Sequence, residues 1–275
     1  MTVLQALILG LVQGLTELLP VSSSAHLHIL PWILGWTNSQ EFINDFNGSF
    51  DIALHLGTLI AIGLFFIKEW IKLFKAGFRK IAKHEETIDG NIFWYLVLAT
   101  IPAGILALVL EKVSDCIING NFKLEMEIIA TSLIVMGIIL VIVDKKSEEK
   151  VKYENITFKQ SMLIGISQAI AAAFPGVSRS GITITIARAL KIDRESAAKY
   201  SFLLSTPMVA AAVLVNITEF AFSSIAFWIG VLVSFVVGFI VINFLMNYLR
   251  KGSFKIFAIY RVILGLIIFI LIFIR

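Results

Sequence analysis

Glu17 is the only formally charged side chain between Met1 and Gln40, and Arg179 is the only one between Gln160 and Ala187. Each sits in a polar cluster. Gln13 lies four residues before Glu17, hence on the same helical face. Pro20 then breaks the chain ahead of Ser22, Ser23 and Ser24, the expected start of a second helix, with His26 one turn further on. In the other cluster, Gly176, Ser178, Arg179, Ser180 and Thr183 follow Pro175 at an equivalent helix start. A helix N-terminus offers unpaired N–H groups and positive dipole to a phosphate, and arginine adds a two-pronged fork for its oxygens. Two helix starts, an arginine, a carboxylate, a histidine and several hydroxyls suit phosphoryl chemistry or anion transport. The plainer reading of each part is structural: serines cap helices, His26 and His28 are satisfied interfacial histidines, and Glu17–Arg179 is a pair holding two segments together. The functional reading explains more, because the neighbours of both charges are polar too, in segments where one ionisable group costs about 2.5–3.5 kcal/mol to place in lipid.

Those segments belong to an apolar chain. Of its 275 residues, 58% are hydrophobic and 15% charged, with a mean hydropathy of +0.91, whereas a soluble domain is about a quarter charged. A water-soluble enzyme, a disordered chain and a nucleic-acid binder are excluded, so no nucleic-acid partner is expected. The net charge of +4 fits basic cytoplasmic loops better than a polyanion-binding face. A single cysteine, Cys116, rules out an internal disulfide framework and a cysteine metal site. Met1 to Leu19 lacks a basic n-region and contains Glu17, so it does not read as a cleaved signal peptide. Six stretches approach the roughly 20 apolar residues of a helical crossing: 50–67, 92–110, 128–143, 200–217, 225–247 and 257–274. Their apolar runs lack the two-residue alternation of a membrane barrel. The segment 68–83 mixes Lys68, Lys72, Lys75, Arg79, Lys80 and Lys83 with Trp70, Ile71, Leu73, Phe74 and Phe78, the pattern of an amphipathic helix at the membrane surface.

Lysine and arginine placement orients the spans. Segments 68–83, 144–160 and 188–199 are basic, as is the stretch with Arg250, Lys251 and Lys255; 36–49 and 218–224 carry neither residue, and 111–127 carries only Lys112 and Lys123. With the first group inside and the second outside, 3–35 must begin and end outside and 161–190 inside. Each is interrupted near its middle, by Pro20-Val-Ser-Ser-Ser and Pro175-Gly-Val-Ser-Arg-Ser, and irregular backbone at membrane depth needs protein or water around it. Two re-entrant helical hairpins pointing at one another follow. At an offset of 155, Gly10, Gln13, Pro20 and Ser23 fall on Gly165, Gln168, Pro175 and Ser178. Each hairpin precedes three spans, so the second copy is inverted. The expected fold is an all-α polytopic membrane protein, an inverted-topology repeat of six transmembrane helices plus two re-entrant hairpins. The first repeat is 1–143, the cytoplasmic linker 144–160 and the second repeat 161–275. Such repeats place a site where their broken helices meet. Asp51 and His55 share a helical face at the outer end of a span, where a cap or interface role is expected; His84 and Cys116 fall in loops with no evident role.

The two polar clusters resemble the signature of the bacterial undecaprenyl-diphosphate phosphatase family, also called bacitracin-resistance proteins. The family's first motif, Glu or Gln, three residues, then Glu, appears as Gln13-Gly-Leu-Thr-Glu17 and runs into Leu18-Leu19-Pro20-Val21-Ser22-Ser23-Ser24-Ala25-His26. Its second motif appears as Pro175-Gly176-Val177-Ser178-Arg179-Ser180-Gly181-Ile182-Thr183, and Ser201-Phe202-Leu203-Leu204-Ser205-Thr206-Pro207 downstream is also similar. The similarity extends over essentially the whole chain. Two departures are mild: Gln13 leaves Glu17 as the only carboxylate of its motif, and Ala25 stands where Gly is common. The type-2 phosphatidic acid phosphatases do not fit. They want a histidine six residues after the arginine and an aspartate four beyond, positions held here by Thr185 and Ala189.

The resemblance implies hydrolysis of the terminal phosphate of a C55 polyprenyl diphosphate in the bacterial inner membrane, returning the monophosphate carrier to peptidoglycan synthesis and conferring bacitracin resistance. It also implies roles. Ser23 would be nucleophile or the ligand that places an attacking water, and His26 a general acid or base or itself the nucleophile. Glu17 would bind a divalent cation, Mg²⁺ or Ca²⁺, or act as base. Arg179, with Ser178 and Ser180, would stabilise the transferred phosphoryl group, and Gln13, Ser22, Ser24, Gly176 and Thr183 complete the substrate-binding set. The lipid substrate and the bilayer are the expected partners, with a homodimer as an open alternative. The site is expected to face outside, because the nucleophile candidates lie on the outer hairpin. The rival function is a polyprenyl-phosphate flippase or anion transporter on the same inverted repeat; a carrier needs binding groups but neither nucleophile nor proton shuttle.

Overall fold

The computed structural model describes residues 1–46, 50–215 and 224–274. Within them the chain is helical: α1 (Val3–Thr16), α2 (Ser23–Ile33), α3 (Gln40–Asp45), α4 (Asp51–Phe65), α5 (Ile67–Lys83), α6 (Ile88–Ile118), α7 (Phe122–Lys146), α8 (Phe158–Ala173), α9 (Arg179–Ala189), α10 (Arg194–Val215), α11 (Ile225–Leu249) and α12 (Lys255–Ile274). Among the described residues the only β pairing is one isolated bridge, Val151 to Ile192.

α1 and α8 begin on the same device. Thr2 and Thr157 accept hydrogen bonds from the backbone of Gln5 and Gln160, whose side chains return to the cap N–H, so two otherwise orphaned donors are satisfied at each start. α1 then packs against α2, and α8 against α9. At about 1.5 Å per residue these four helices reach roughly 16–24 Å, short of a bilayer core of about 30 Å, and none is long enough to cross alone. Their turns differ by one residue: Pro20-Val21-Ser22 in one tip, Pro175-Gly176-Val177-Ser178 in the other. Ser22 and Ser178 cap α2 and α9 with left-handed backbone, φ 75° and 70°, accepting from the N–H of Ala25 at 3.4 Å and of Gly181 at 3.1 Å. A constant offset of 155 pairs Ser23 with Ser178, whereas the residues that cap α2 and α9 are Ser22 and Ser178, an offset of 156. On that register Arg179 falls on Ser23. Gly176 is the added residue. Its φ of +93° and its approach to the Ile129 backbone leave no room for a side chain.

α1 lies along α11, with Gly10 and Gly14 facing Val233 and Val237, and α8 lies along α6, with Gly165 facing Ala99. Small residues let apolar helices approach closely where water is not there to drive them together. Among the described residues five helices, α6, α7, α10, α11 and α12, are singly long and apolar enough to cross a membrane. The expected sixth span, 50–67, is the 15-residue α4; it passes only jointly with α5, from which it is bent by 75°. α5 exposes Ile67, Ile71, Phe74, Phe78 and Ile81 along one stripe, as a surface helix would.

Two expected loops are more ordered than their polarity implied. α6 runs on to Ile118 and α7 starts at Phe122, so 111–127 contains only a short connection and Cys116 lies exposed on α6. The linker 144–160 is tied down by ion pairs. Buried Asp144 accepts from Arg188 Nε at 2.8 Å, Arg194 Nε at 2.9 Å and the Phe254 N–H at 3.2 Å. The linker is thereby fixed to α9, α10 and the residue that precedes α12, because a buried carboxylate must be paired from all sides. Residues 216–223, which hold most of the expected outer loop 218–224 and the end of the span 200–217, lie outside the described residues.

The two hairpin tips meet, and α12 binds both. Arg261, fully buried, donates from Nη1 to the carbonyl of Pro20 at 3.2 Å and from Nη2 to those of Gly176 and Val177 at 3.1 and 2.8 Å. Ser180 adds hydrogen bonds to the carbonyls of Glu17 at 3.2 Å and Leu19 at 3.3 Å. Backbone that turns inside an apolar protein has no helical partner for these oxygens, and side chains must supply one. Replacing Arg261 by Met strands three buried acceptors, each worth about 1–3 kcal/mol. The expected loss is at least about 3 kcal/mol of stability, read by thermal unfolding in detergent, with Arg261→Lys recovering part of it.

Candidate active site

The tips bring Glu17 and Arg179 into contact. Arg179 Nη2 lies 2.7 Å from Glu17 Oε1, and on the other carboxylate oxygen Ser23 Oγ donates at 2.5 Å and Gln13 Nε2 at 3.3 Å. The structural pair is real, and it sits in the wall of a cavity of about 330 Å³. Glu17, Ser23 and Ser24 line it from the first hairpin; Gln168, Ser178, Arg179 and Ser180 line it from the second. His55 and Glu111 enter from α4 and α6, and Ala107, Ala171, Ala172 and Met208 provide apolar wall. The starts of α2 and α9 both point N–H groups here, since Ser22 and Ser178 satisfy only the third residue of each helix and leave the first two donors free of the ladder.

The remaining expected residues divide into two groups. Gln13, Ser22, Gly176 and Thr183 stand behind the cavity wall. Gln13 reaches it through Glu17, and Ser22 bonds Ser24 Oγ at 3.1 Å. Gly176 shapes the tip, and Thr183 Oγ1 bonds Ser201 Oγ at 2.6 Å and the Arg179 carbonyl at 2.9 Å. His26 is not with them. Its Nδ1 is 2.7 Å from the Ser22 carbonyl, its Nε2 is 2.6 Å from Tyr260 Oη, and its ring stacks on the Tyr260 ring with 5.6 Å between centroids. His28 is paired as an interfacial histidine, 3.2 Å from Glu125.

The histidine in the cavity is His55, for which the sequence implied a cap or interface role. Its Nε2 lies 3.7 Å from Glu17 Oε2, and its Nδ1 is 2.9 Å from the carbonyl of Asp51, one turn earlier. A hydrogen bond from Nδ1–H to that carbonyl leaves Nε2 as the basic nitrogen facing the site. Asp51 and Glu111 line the adjoining opening together with His55 and Arg179. Sequence reasoning also passed over Tyr260 and Arg261. An arginine inside an otherwise apolar final span was the available signal for the second.

For a divalent cation the donors are few. Both Glu17 oxygens are engaged, and among the described residues no three His, Cys, Asp or Glu side chains converge. One carboxylate beside hydroxyls matches a cation that keeps its waters and is carried mainly by phosphate oxygens, the habit of Mg²⁺, better than it matches an all-protein cage.

Residues 6–267 match the family described as bacitracin resistance protein BacA. The chain is 45% identical over 273 residues to an undecaprenyl-diphosphatase of Pelotomaculum thermopropionicum, covering 98% of this chain and 97% of that one. It is 43% identical to the undecaprenyl-diphosphatase of Elusimicrobium minutum and 40% to that of Desulforudis audaxviator, over 98% of each chain in both cases. With a family match over nearly its whole length and relatives of this similarity, the chain belongs to the bacitracin resistance protein family.

Proposed function

We propose that this protein is an integral membrane phosphatase that hydrolyses undecaprenyl diphosphate to undecaprenyl phosphate and inorganic phosphate. The observation that carries the reading is Ser23 Oγ at 2.5 Å from Glu17 Oε2 in a cavity that also holds Arg179: a hydroxyl with its base, facing an anion receptor. The relatives' names agree with it. A flippase or anion carrier would use the receptor and have no need of the hydroxyl–carboxylate pair.

In the proposed reaction Ser23 Oγ attacks the terminal phosphorus and its proton passes to Glu17 Oε2. The bridging P–O bond breaks and undecaprenyl phosphate leaves with the proton from Glu17; Glu17 then takes a proton from the water that attacks the phosphoserine and returns it to Ser23 Oγ as inorganic phosphate departs. Ser23 is preferred to His26 because both ring nitrogens of His26 are already bonded, outside the cavity. Arg179, with Ser178, Ser180 and the free N–H groups of α2 and α9, takes the charge on the phosphoryl oxygens. Gln13 steadies Glu17. A divalent cation, Mg²⁺ or Ca²⁺, would accompany the diphosphate and neutralise part of its charge; Glu17 would be its protein ligand in the alternative in which Glu17 is not the base.

The remaining setting is proposed on the same footing. The two capping boxes, the paired caps Ser22 and Ser178 and the crossed packing of α1 on α11 and α8 on α6 support an inverted repeat with both hairpins re-entrant. Asp51 and Glu111 beside the cavity lie at the ends of α4 and α6 remote from the basic segments. By the positive-inside rule that supports an opening on the outer face of the bacterial cell membrane. A homodimer is compatible with this arrangement and is not required by it.

Detergent-purified protein should release phosphate from C55 diphosphate with Mg²⁺ and lose that activity in EDTA. Absence of release from well-folded protein in both conditions would leave the carrier reading in front. Ser23→Ala should reduce release at least about 100-fold with thermal unfolding unchanged; Glu17→Ala should reduce release as far and also lower the Tm, because it leaves Arg179 without its carboxylate. Undiminished turnover by Ser23→Ala would return the nucleophile to His26.

A further inference from the structure

Gln168 is buried, 4% exposed, and lines the cavity, yet neither its amide nitrogen nor its amide oxygen has a hydrogen-bond partner. Buried side-chain amides nearly always have one, because an unpaired donor or acceptor loses its water and gains nothing. The two halves of the chain explain why this one has none. Gln168 on α8 is the counterpart of Gln13 on α1, at the offset of 155 that holds along both helices. Gln13 has its donor occupied: its Nε2 donates to Glu17, one turn on, and only its Oε1 is without a partner. The residue one turn on from Gln168 is Ala172, itself a cavity liner. Where the first half has a carboxylate to receive the amide, the second half has a methyl group and open space.

We propose that Gln168 is a substrate-binding residue whose amide N–H donates to an oxygen of the bound diphosphate. The inference rests on the phosphatase reading for its substrate and on the orphaned amide for its location. The surroundings specify an anion. Arg179, Ser178 and Ser180 line the same cavity from the second hairpin and α9 starts there, so a phosphate oxygen lodged against that hairpin meets a guanidinium and hydroxyl donors, and the amide is one more; the carboxylates of the lining, Glu17 and Glu111, come from the first hairpin and α6. The division of labour is then complete: the first hairpin brings the acid–base carboxylate and the hydroxyl, and the second brings Arg179 and Gln168 as receptors. The register shift at the tips, which sets Arg179 opposite Ser23 in the repeat, belongs to the same division.

The test compares full-length wild-type protein with Gln168→Leu and Gln168→Met, which keep the side chain's bulk and remove its hydrogen bonding, and with Gln168→Glu, which adds negative charge. Two readouts are taken in detergent: calorimetric binding of methylenediphosphonate, a non-hydrolysable diphosphate, and steady-state hydrolysis of C55 diphosphate. Gln168→Leu should bind methylenediphosphonate about ten-fold more weakly and raise KM for the lipid by a similar factor, Gln168→Glu should be weaker still, and the unliganded Tm of Gln168→Leu should equal or exceed that of wild type, since an unpaired amide has been removed. If the Leu protein does not fold, the Met protein carries the comparison. Unchanged binding and KM, or a fall in unliganded Tm in both apolar variants with affinity restored at lower temperature, would overturn the proposal. A wild-type protein that binds the diphosphonate through Gln168 but releases no phosphate from the lipid would refute the phosphatase reading and leave the binding residue standing; normal hydrolysis that ignores Gln168 would do the reverse.

Discussion

Everything at the centre of this protein depends on giving hydrogen bonds to backbone that turns inside an apolar interior. Four short helices stop at two tips, and each tip frees carbonyls that water would satisfy in a soluble protein. Arg261 takes three of them at once and Ser180 two more. Among the described residues no carboxylate pairs with Arg261; its charge is held by carbonyl dipoles. A guanidinium does this where an ammonium cannot, because its planar fork reaches both tips from one position. Once the tips are fixed to each other, Glu17 at the end of one hairpin and Arg179 at the start of the other have no choice but to meet.

The halves repeat in their scaffolding and differ in their chemistry. The capping threonines, the tip prolines, the capping serines with left-handed backbone and the pair Gln13 and Gln168 recur. In the proposed reaction the exceptions carry the function: Glu17 against Ala172, Ser23 against Arg179, and the added Gly176. Two similarly capped helix starts suffice to attract an anion; a reaction needs an acid–base group on one side and a receptor on the other.

Much of this was legible in the sequence, for a physical reason. A lone charge in an apolar segment must have a partner, so Glu17 and Arg179 named each other across 162 residues. The helices, the two hairpins and the polar tips followed from hydropathy and proline placement. What escaped depended on tertiary packing. His26 stands three residues after Ser23 and on the same side of α2, yet its ring turns away to Tyr260, which is distant in the chain. His55 reaches the cavity only because α4 packs beside α1. The tip register was misaligned by one because a fixed offset cannot accommodate an inserted glycine. The order of the linker 144–160 is not legible locally, because the partners of Asp144 lie in α9, in α10 and just ahead of α12.

The structural and the functional readings of the Glu17–Arg179 pair are the same reading. An unpaired arginine or glutamate in such a wall would be driven to neutralise or to leave; paired, the two can wait in apolar surroundings without substrate. In the proposed reaction, pairing also sets the timing. While Glu17 is ionised it competes with phosphate for the guanidinium. When it accepts the Ser23 proton its negative charge disappears, the hold on Arg179 Nη2 weakens, and the guanidinium turns to the phosphoryl oxygens as charge builds on them. An interaction that strengthens only as the transition state forms is the kind that accelerates a reaction. A site built this way needs one carboxylate rather than two, which is what Gln13 leaves it.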